Sequence, residues 1–150
     1  MAANATGTTS FKGPGGSATT TSPAPGIFRT NVEGHLDVTM ARHVVEAGDR
    51  VAAAAGFLVA FHDWEAVTGY ETQARVVLTE WGVRLGKRVE RVHLLVKSRI
   101  VAMGVAIAGL VLRGMLVSYT DRKAFEAALA DRIAQARRPE AGGTPPDGRR

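Results

Sequence analysis

The sequence predicts a single α/β domain: a mostly parallel or mixed sheet of four to five strands with about four helices. Two observations predict it. From Phe57 to Asp121, short apolar runs alternate with longer stretches of helical spacing. Strands covered on both faces read this way, because they lose the polar half of the usual period. Each apolar run also stops at a residue that can start a helix. Phe57–Phe61 ends at His62-Asp63, Val92–Val96 at Ser98, and Met115–Val117 at Thr120-Asp121.

Taken in order, strands are expected near 28–32, 35–38, 57–62, 92–97 and 115–119. Helices are expected near 40–54, 70–85, 99–111 and 121–136. The first helix carries Met40, Val44, Ala47, Val51 and Ala54, and the second Tyr70, Ala74, Val77, Trp81 and Leu85. The fourth carries Phe125, Ala128, Leu129, Ile133 and Ala136. Each set forms one apolar stripe of the width a sheet-packed helix needs. The third differs, being apolar all round from Ile100 to Leu112 between Arg99 and Arg113. A membrane span needs about 20 apolar residues, so a helix inside the domain is expected, with an oligomer contact as the alternative. Its Ala102, Gly104, Ala106, Ala108 and Gly109 would let backbones approach closely.

The folded domain is expected over 27–137. Residues 1–26 are rich in Gly, Ser, Thr, Ala and Pro, with Phe11 the sole large apolar side chain. Too little burial is on offer there to offset ordering entropy, so a disordered tail is expected, with a short edge strand at Thr8–Lys12 as an exception. Gly13-Pro14-Gly15-Gly16 lacks the Gly-Lys-Ser/Thr ending of a phosphate loop and reads as linker. Residues 138–150 read as a flexible tail.

Hydrophobic residues make up 45% of the chain and charged ones 22%, an ordinary globular balance. The net charge of +5 lies partly in the tails, and no aromatic side chains interleave with Arg84, Lys87, Arg88 and Arg91. Nucleic-acid binding is therefore not expected. Those cations complement the C-terminal end of a helix dipole. Absent cysteine excludes disulfides, thiolate catalysis and Cys-based zinc sites. No secretion signal is visible, and a cytoplasmic location is expected.

The richest polar segment runs from His62 to Glu71. It reads as a loop that closes a strand, with Thr68 and Glu71 at capping-box spacing before the next helix. An exposed Trp64 there would anchor a partner. His62, Asp63 and Glu65 could be drawn as a metal site, but adjacent strand residues point to opposite faces, and His35, His43 and His93 lack ligand spacing. No metal or cofactor is expected. Ser98 could pair with His62 or His93 in a hydrolase, although Ser98 before Arg99 also reads as a helix N-cap. Ser98 and Arg99 form a candidate anion site at that helix start.

Gly34-His35-Leu36-Asp37, followed by Met40-Ala41 and Val44, resembles the STAS family, the sulfate-transporter and anti-sigma-factor-antagonist domains. The resemblance spans roughly 28–136 and implies a bacterial regulatory module working through protein contacts. The family's phospho-acceptor pattern, Asp-Ser-Ser/Ala-Gly, falls on Thr68-Gly69, with Val67 where the preceding hydroxyl residue would stand and the Asp missing. Thr68 is thus the candidate phospho-acceptor. The chain is also similar to the STAS/SEC14-like subgroup, which implies apolar ligands or partners.

The leading expectation is a non-enzymatic STAS-like interaction module. It would contact a protein partner through loop 63–72, with Asp63, Trp64, Glu65, Thr68, Gly69 and Tyr70 as the recognition residues, and a homo-oligomer is the further partner considered. The alternative is a lipid or small-anion binding module with an apolar cavity beside the third helix. The third reading is a hydrolase using Ser98.

Overall fold

The computed structural model describes residues 7–138. Six strands form one sheet in chain order: β1 (Thr9–Lys12), β2 (Gly16–Ala24), β3 (Ile27–Leu36), β4 (Leu58–Tyr70), β5 (Val89–Val96) and β6 (Leu116–Tyr119). The first three pair antiparallel, and β3 through β6 pair parallel. Helices α1 (Val38–Ala55), α2 (Thr72–Leu85) and α3 (Arg99–Val111) are the crossovers between parallel strands, and α4 (Arg122–Arg137) follows β6.

This order explains the layers. Right-handed crossovers that always step the same way across a sheet leave all their helices on one face. Accordingly Phe28, Leu36, Met40, Val44, Leu58, Ala60, Trp81 and Leu94 form one core beneath α1–α3. The opposite face holds a smaller core of Ile27, Val59, Phe61 and Leu95 against Phe125 and Leu129 of α4. Neighbours in β4 therefore serve different cores, which is why its run of Leu, Val, Ala and Phe shows no polar alternation.

The termini of α1 follow local chemistry. Asp37 caps it by accepting from the Met40 N–H at 2.8 Å, and Gly56 ends it with φ 88°. Strands expected separately at 28–32 and 35–38 are one strand. Gly34 joins them with φ 82°, and a Cβ there would strike the Gly15 carbonyl of the hairpin alongside.

Three expectations are corrected. First, residues 9–24 are not a disordered tail: they form the β1–β2 hairpin on the edge of the sheet. Its stability comes from backbone pairing and small buried groups. Thr9 and Thr20 lie buried, and Thr9 meets His43 Nε2 of α1 at 3.1 Å. Phe11 stacks on the same imidazole at 5.4 Å. The remaining parts of the expected tails, 1–6 and 139–150, lie outside the described residues.

Second, residues 63–70 are strand, not loop. Past Trp64, β4 leaves β5 but goes on pairing with β3, Val67 opposite Gly34 and Tyr70 opposite Leu36. One-sided pairing with register shifts produces polar alternation that reads like a loop. The capping box is absent with it. Glu71 is itself the N-cap of α2 and makes no cap through its side chain; its Oε1 instead accepts from the Val38 N–H of α1 at 2.8 Å.

Third, α3 is not enclosed. Only Val101 and Gly104 in it are buried, while Ile100, Met103, Ile107, Leu110 and Val111 stand exposed, Leu110 at 76%. Among the described residues the helix lies on the sheet as an outer layer with nothing above it. Among the described residues no helix is long and apolar enough to cross a membrane.

Candidate functional site

A cavity of about 90 Å³ lies between the sheet and helices α2 and α3. Leu58, Ala60, Val92 and Leu94 make its floor, Leu78 and Leu85 one wall, and Val101, Val105 and Ala108 the other. The cavity follows from the residues of α3. Its inner face offers glycine and alanine where larger side chains would fill the space over the sheet. Gly104 is required, because the Tyr70 hydroxyl occupies the place a Cβ would take. At the other end, Gly82 of α2 presses on the Leu112 side chain.

Polar groups at the cavity are few. Trp64 Nε1–H donates to Thr30 Oγ1 at 3.1 Å, and Thr30 Oγ1 lies 2.7 Å from His62 Nδ1. An indole can only donate, so Thr30 Oγ1 accepts from Trp64, while the direction of its hydrogen bond with Nδ1 follows the His62 tautomer. Burial, with the neighbouring His93, pulls the His62 pKa down to about 3. Its imidazole is therefore neutral. Among the described residues Arg75 is the one cation lining the cavity, and its Nε–H is buried without an acceptor. An orphaned donor of this kind costs roughly 1–3 kcal/mol.

The six expected recognition residues are divided by the sheet. Asp63 is buried on the α4 side, where Arg29 holds one carboxylate oxygen at 3.0 Å and Arg122 the other at 2.9 Å. Glu65 joins that network through Arg122 at 2.7 Å. The Arg29 hydrogen bonds also keep the Glu126 carboxyl below its usual range. Trp64 is only 6% exposed and packs inside the larger core, stacked on His62 at 4.9 Å. Trp64 and Asp63 are thus structural, because a tryptophan and a doubly paired carboxylate on a central strand point into the two cores. Tyr70 is half-buried at the cavity, Gly69 lies beside His35, and Thr68 alone of the six is exposed.

Ser98 caps α3, its Oγ accepting from the Val101 N–H at 3.4 Å. His62 Nδ1 is engaged with Thr30 and His93 Nδ1 with the Tyr119 hydroxyl at 2.9 Å, and among the described residues Ser98 is hydrogen-bonded to neither imidazole. Arg99 is exposed beside it. Among the described residues no group of three His, Asp or Glu could hold a metal.

Missing from the expected set are Arg75, Leu78 and Gly82. They share the α2 face that looks toward α3, at offsets 0, 3 and 7, and Leu85 continues it. A lone cation heading an apolar stripe was the available signal.

No protein-family model matches the sequence, and no curated protein does. Among solved structures, the chain is similar to an uncharacterised protein of the DUF3478 family with a SpoIIAA-like fold from Shewanella loihica PV-4. The match has a TM-score of 0.52 at 17% identity and covers 86% of this chain and 98% of the other. This is a SpoIIAA-like fold. SpoIIAA is the STAS-domain anti-sigma factor antagonist, so the architecture expected from the Gly34–Asp37 resemblance is the one observed. Within the SpoIIAA-like frame, the six-stranded sheet exceeds the expected four to five strands because the hairpin at its edge is ordered.

Proposed function

We propose that this chain is a non-enzymatic STAS-like module that binds an apolar small molecule between its sheet and helices α2 and α3. The observation supporting it is the roughly 90 Å³ cavity, apolar on nearly every side, beneath a helix with few buried residues. Well-packed interiors rarely leave voids larger than a water, and an unfilled apolar volume forfeits the dispersion contacts that a ligand would restore. A neutral alcohol, 1-octanol, should bind the intact chain in calorimetry, and Ala108→Phe, which fills the cavity from α3, should abolish binding while leaving the protein folded. Equal binding by the variant would rule the cavity out. Native mass spectrometry of protein purified from cells should also reveal a retained small molecule.

A second reading, a protein contact, is supported by the outer face of α3. Ile100, Met103, Ile107 and Leu110 form a continuous exposed stripe, with Val83 of α2 exposed as well. This transfers the interaction role from segment 63–72 to a different surface. Leu110→Glu should abolish any self-association seen by analytical ultracentrifugation, with stability changed by no more than about 0.5 kcal/mol. Phosphorylation of the exposed Thr68 would be compatible with either reading.

A further inference from the structure

We infer that the ligand of the cavity is a monoanionic amphiphile, a medium-chain alkyl carboxylate whose head group pairs with Arg75. This rests on the cavity being a binding site, as proposed above. Among the described residues Arg75 is the only charged group on the cavity wall. Among the described residues it takes part in no ion pair, whereas Arg29, Arg84, Arg122 and Arg132 each hold a carboxylate. Its Nε–H, buried without an acceptor, is left a donor that a ligand oxygen would satisfy.

Position supports the same assignment. Arg75 and Thr79 line the cavity and also the shallow outer groove between α2 and α3. The cation therefore stands where the interior meets the surface. A head group placed there keeps contact with water while its chain lies among Leu58, Leu94 and Val105.

Charge and size narrow the class. One uncompensated guanidinium balances one negative charge, and its planar fork matches a carboxylate with two parallel N–H···O bonds. Glu80 and Arg84 both border the same groove, and Arg84 already holds Asp49 at 3.0 Å, so Arg75 is the guanidinium left for a head group. At roughly 10–15 Å³ for each water-sized group, the cavity of about 90 Å³ takes a chain of roughly six to nine atoms. Octanoate fits that description.

Calorimetry on the full chain with octanoate and 1-octanol separates this inference from the reading beneath it. Octanoate should bind the wild type roughly ten- to a hundredfold more tightly than octanol, the worth of a charge-assisted hydrogen bond. Arg75→Met should reduce octanoate to the level of octanol and leave octanol within about threefold, while Arg75→Lys keeps most of the preference. Equal binding of the two ligands by the wild type, or an unchanged octanoate affinity in Arg75→Met, overturns the role of Arg75 with the cavity intact. Binding of neither ligand overturns the cavity itself. Thermal melting establishes that Arg75→Met is folded. If it is not, Arg75→Gln makes the same comparison, and the wild-type preference already decides whether charge is recognised.

Discussion

At the scale of single residues, Trp64 and His62 act together as a buried polar pair anchored on Thr30. Trp64→Ala removes a donor and a large side chain from the core, so it should cost about 3–5 kcal/mol in urea unfolding. An exposed recognition tryptophan would cost almost nothing, so a near-neutral result would restore Trp64 to the surface. His62 makes stability depend on pH. Its pKa is lowered on folding, so the unfolded chain binds more protons at acid pH, and stability rises with pH between the folded and unfolded values. The contribution is complete above about pH 6.5 and is lost as pH falls toward 3. By pH 5 the loss should be roughly 2 kcal/mol from this group. Urea titrations at pH 7 and pH 5 check it, and His62→Gln should flatten the difference. His93, drawn down to about 4 by burial and by Arg91, bends the curve in the same direction.

At the scale of elements, α4 is fastened to the sheet by charge as well as by Phe125 and Leu129. Arg122 bridges Asp63, Glu65 and Glu126, with Asp63 itself buried. Arg122→Ala leaves Asp63 with Arg29 as its remaining cation and should destabilise by roughly 1–2 kcal/mol. Arg132→Ala, which breaks the more exposed pair with Glu90, should cost no more than about 1 kcal/mol by the same measurement. Comparable losses from both variants would show that the burial of Asp63 carries no weight. Helix α3 is the converse case: apolar outside, small inside, and held by Val101 and Gly104. The apolar run between Arg99 and Arg113 located it, Arg99 to Val111, yet could not say that its outward side is exposed.

At the scale of the whole molecule, one sheet carries two cores of unequal size, three helices on one face and one on the other. The void falls under α2 and α3, where the larger layer is least well filled. Native-state hydrogen exchange should therefore find α3 amides opening far more readily than those of β4 and β5, since local stability follows buried contacts. Saturation with a bound alcohol or carboxylate should slow α3 selectively. Uniform protection across the chain would contradict a loosely seated helix. The same frame explains how much of the site was legible beforehand. The polar content of 62–71 pointed to a loop, but pairing with β3 converts it to strand and sends Asp63 and Trp64 into opposite cores. A cavity beside the third helix was expected only under the alternative that follows from the STAS/SEC14-like resemblance, and Arg75 was not expected at all.

The order of strands and helices from Phe57 onward, the cap at Ser98, and the covered faces of the central strands were determined by the sequence alone. They depend on local propensity and on hydrophobic period, which neighbouring residues carry. Tertiary structure alone decided which way β4 continues, that the threonine-rich start becomes an edge hairpin, that α3 faces outward, and that Arg75 meets a cavity without a partner. Each of these depends on contacts between residues far apart in the chain, and period along the sequence holds no record of what lies across from it.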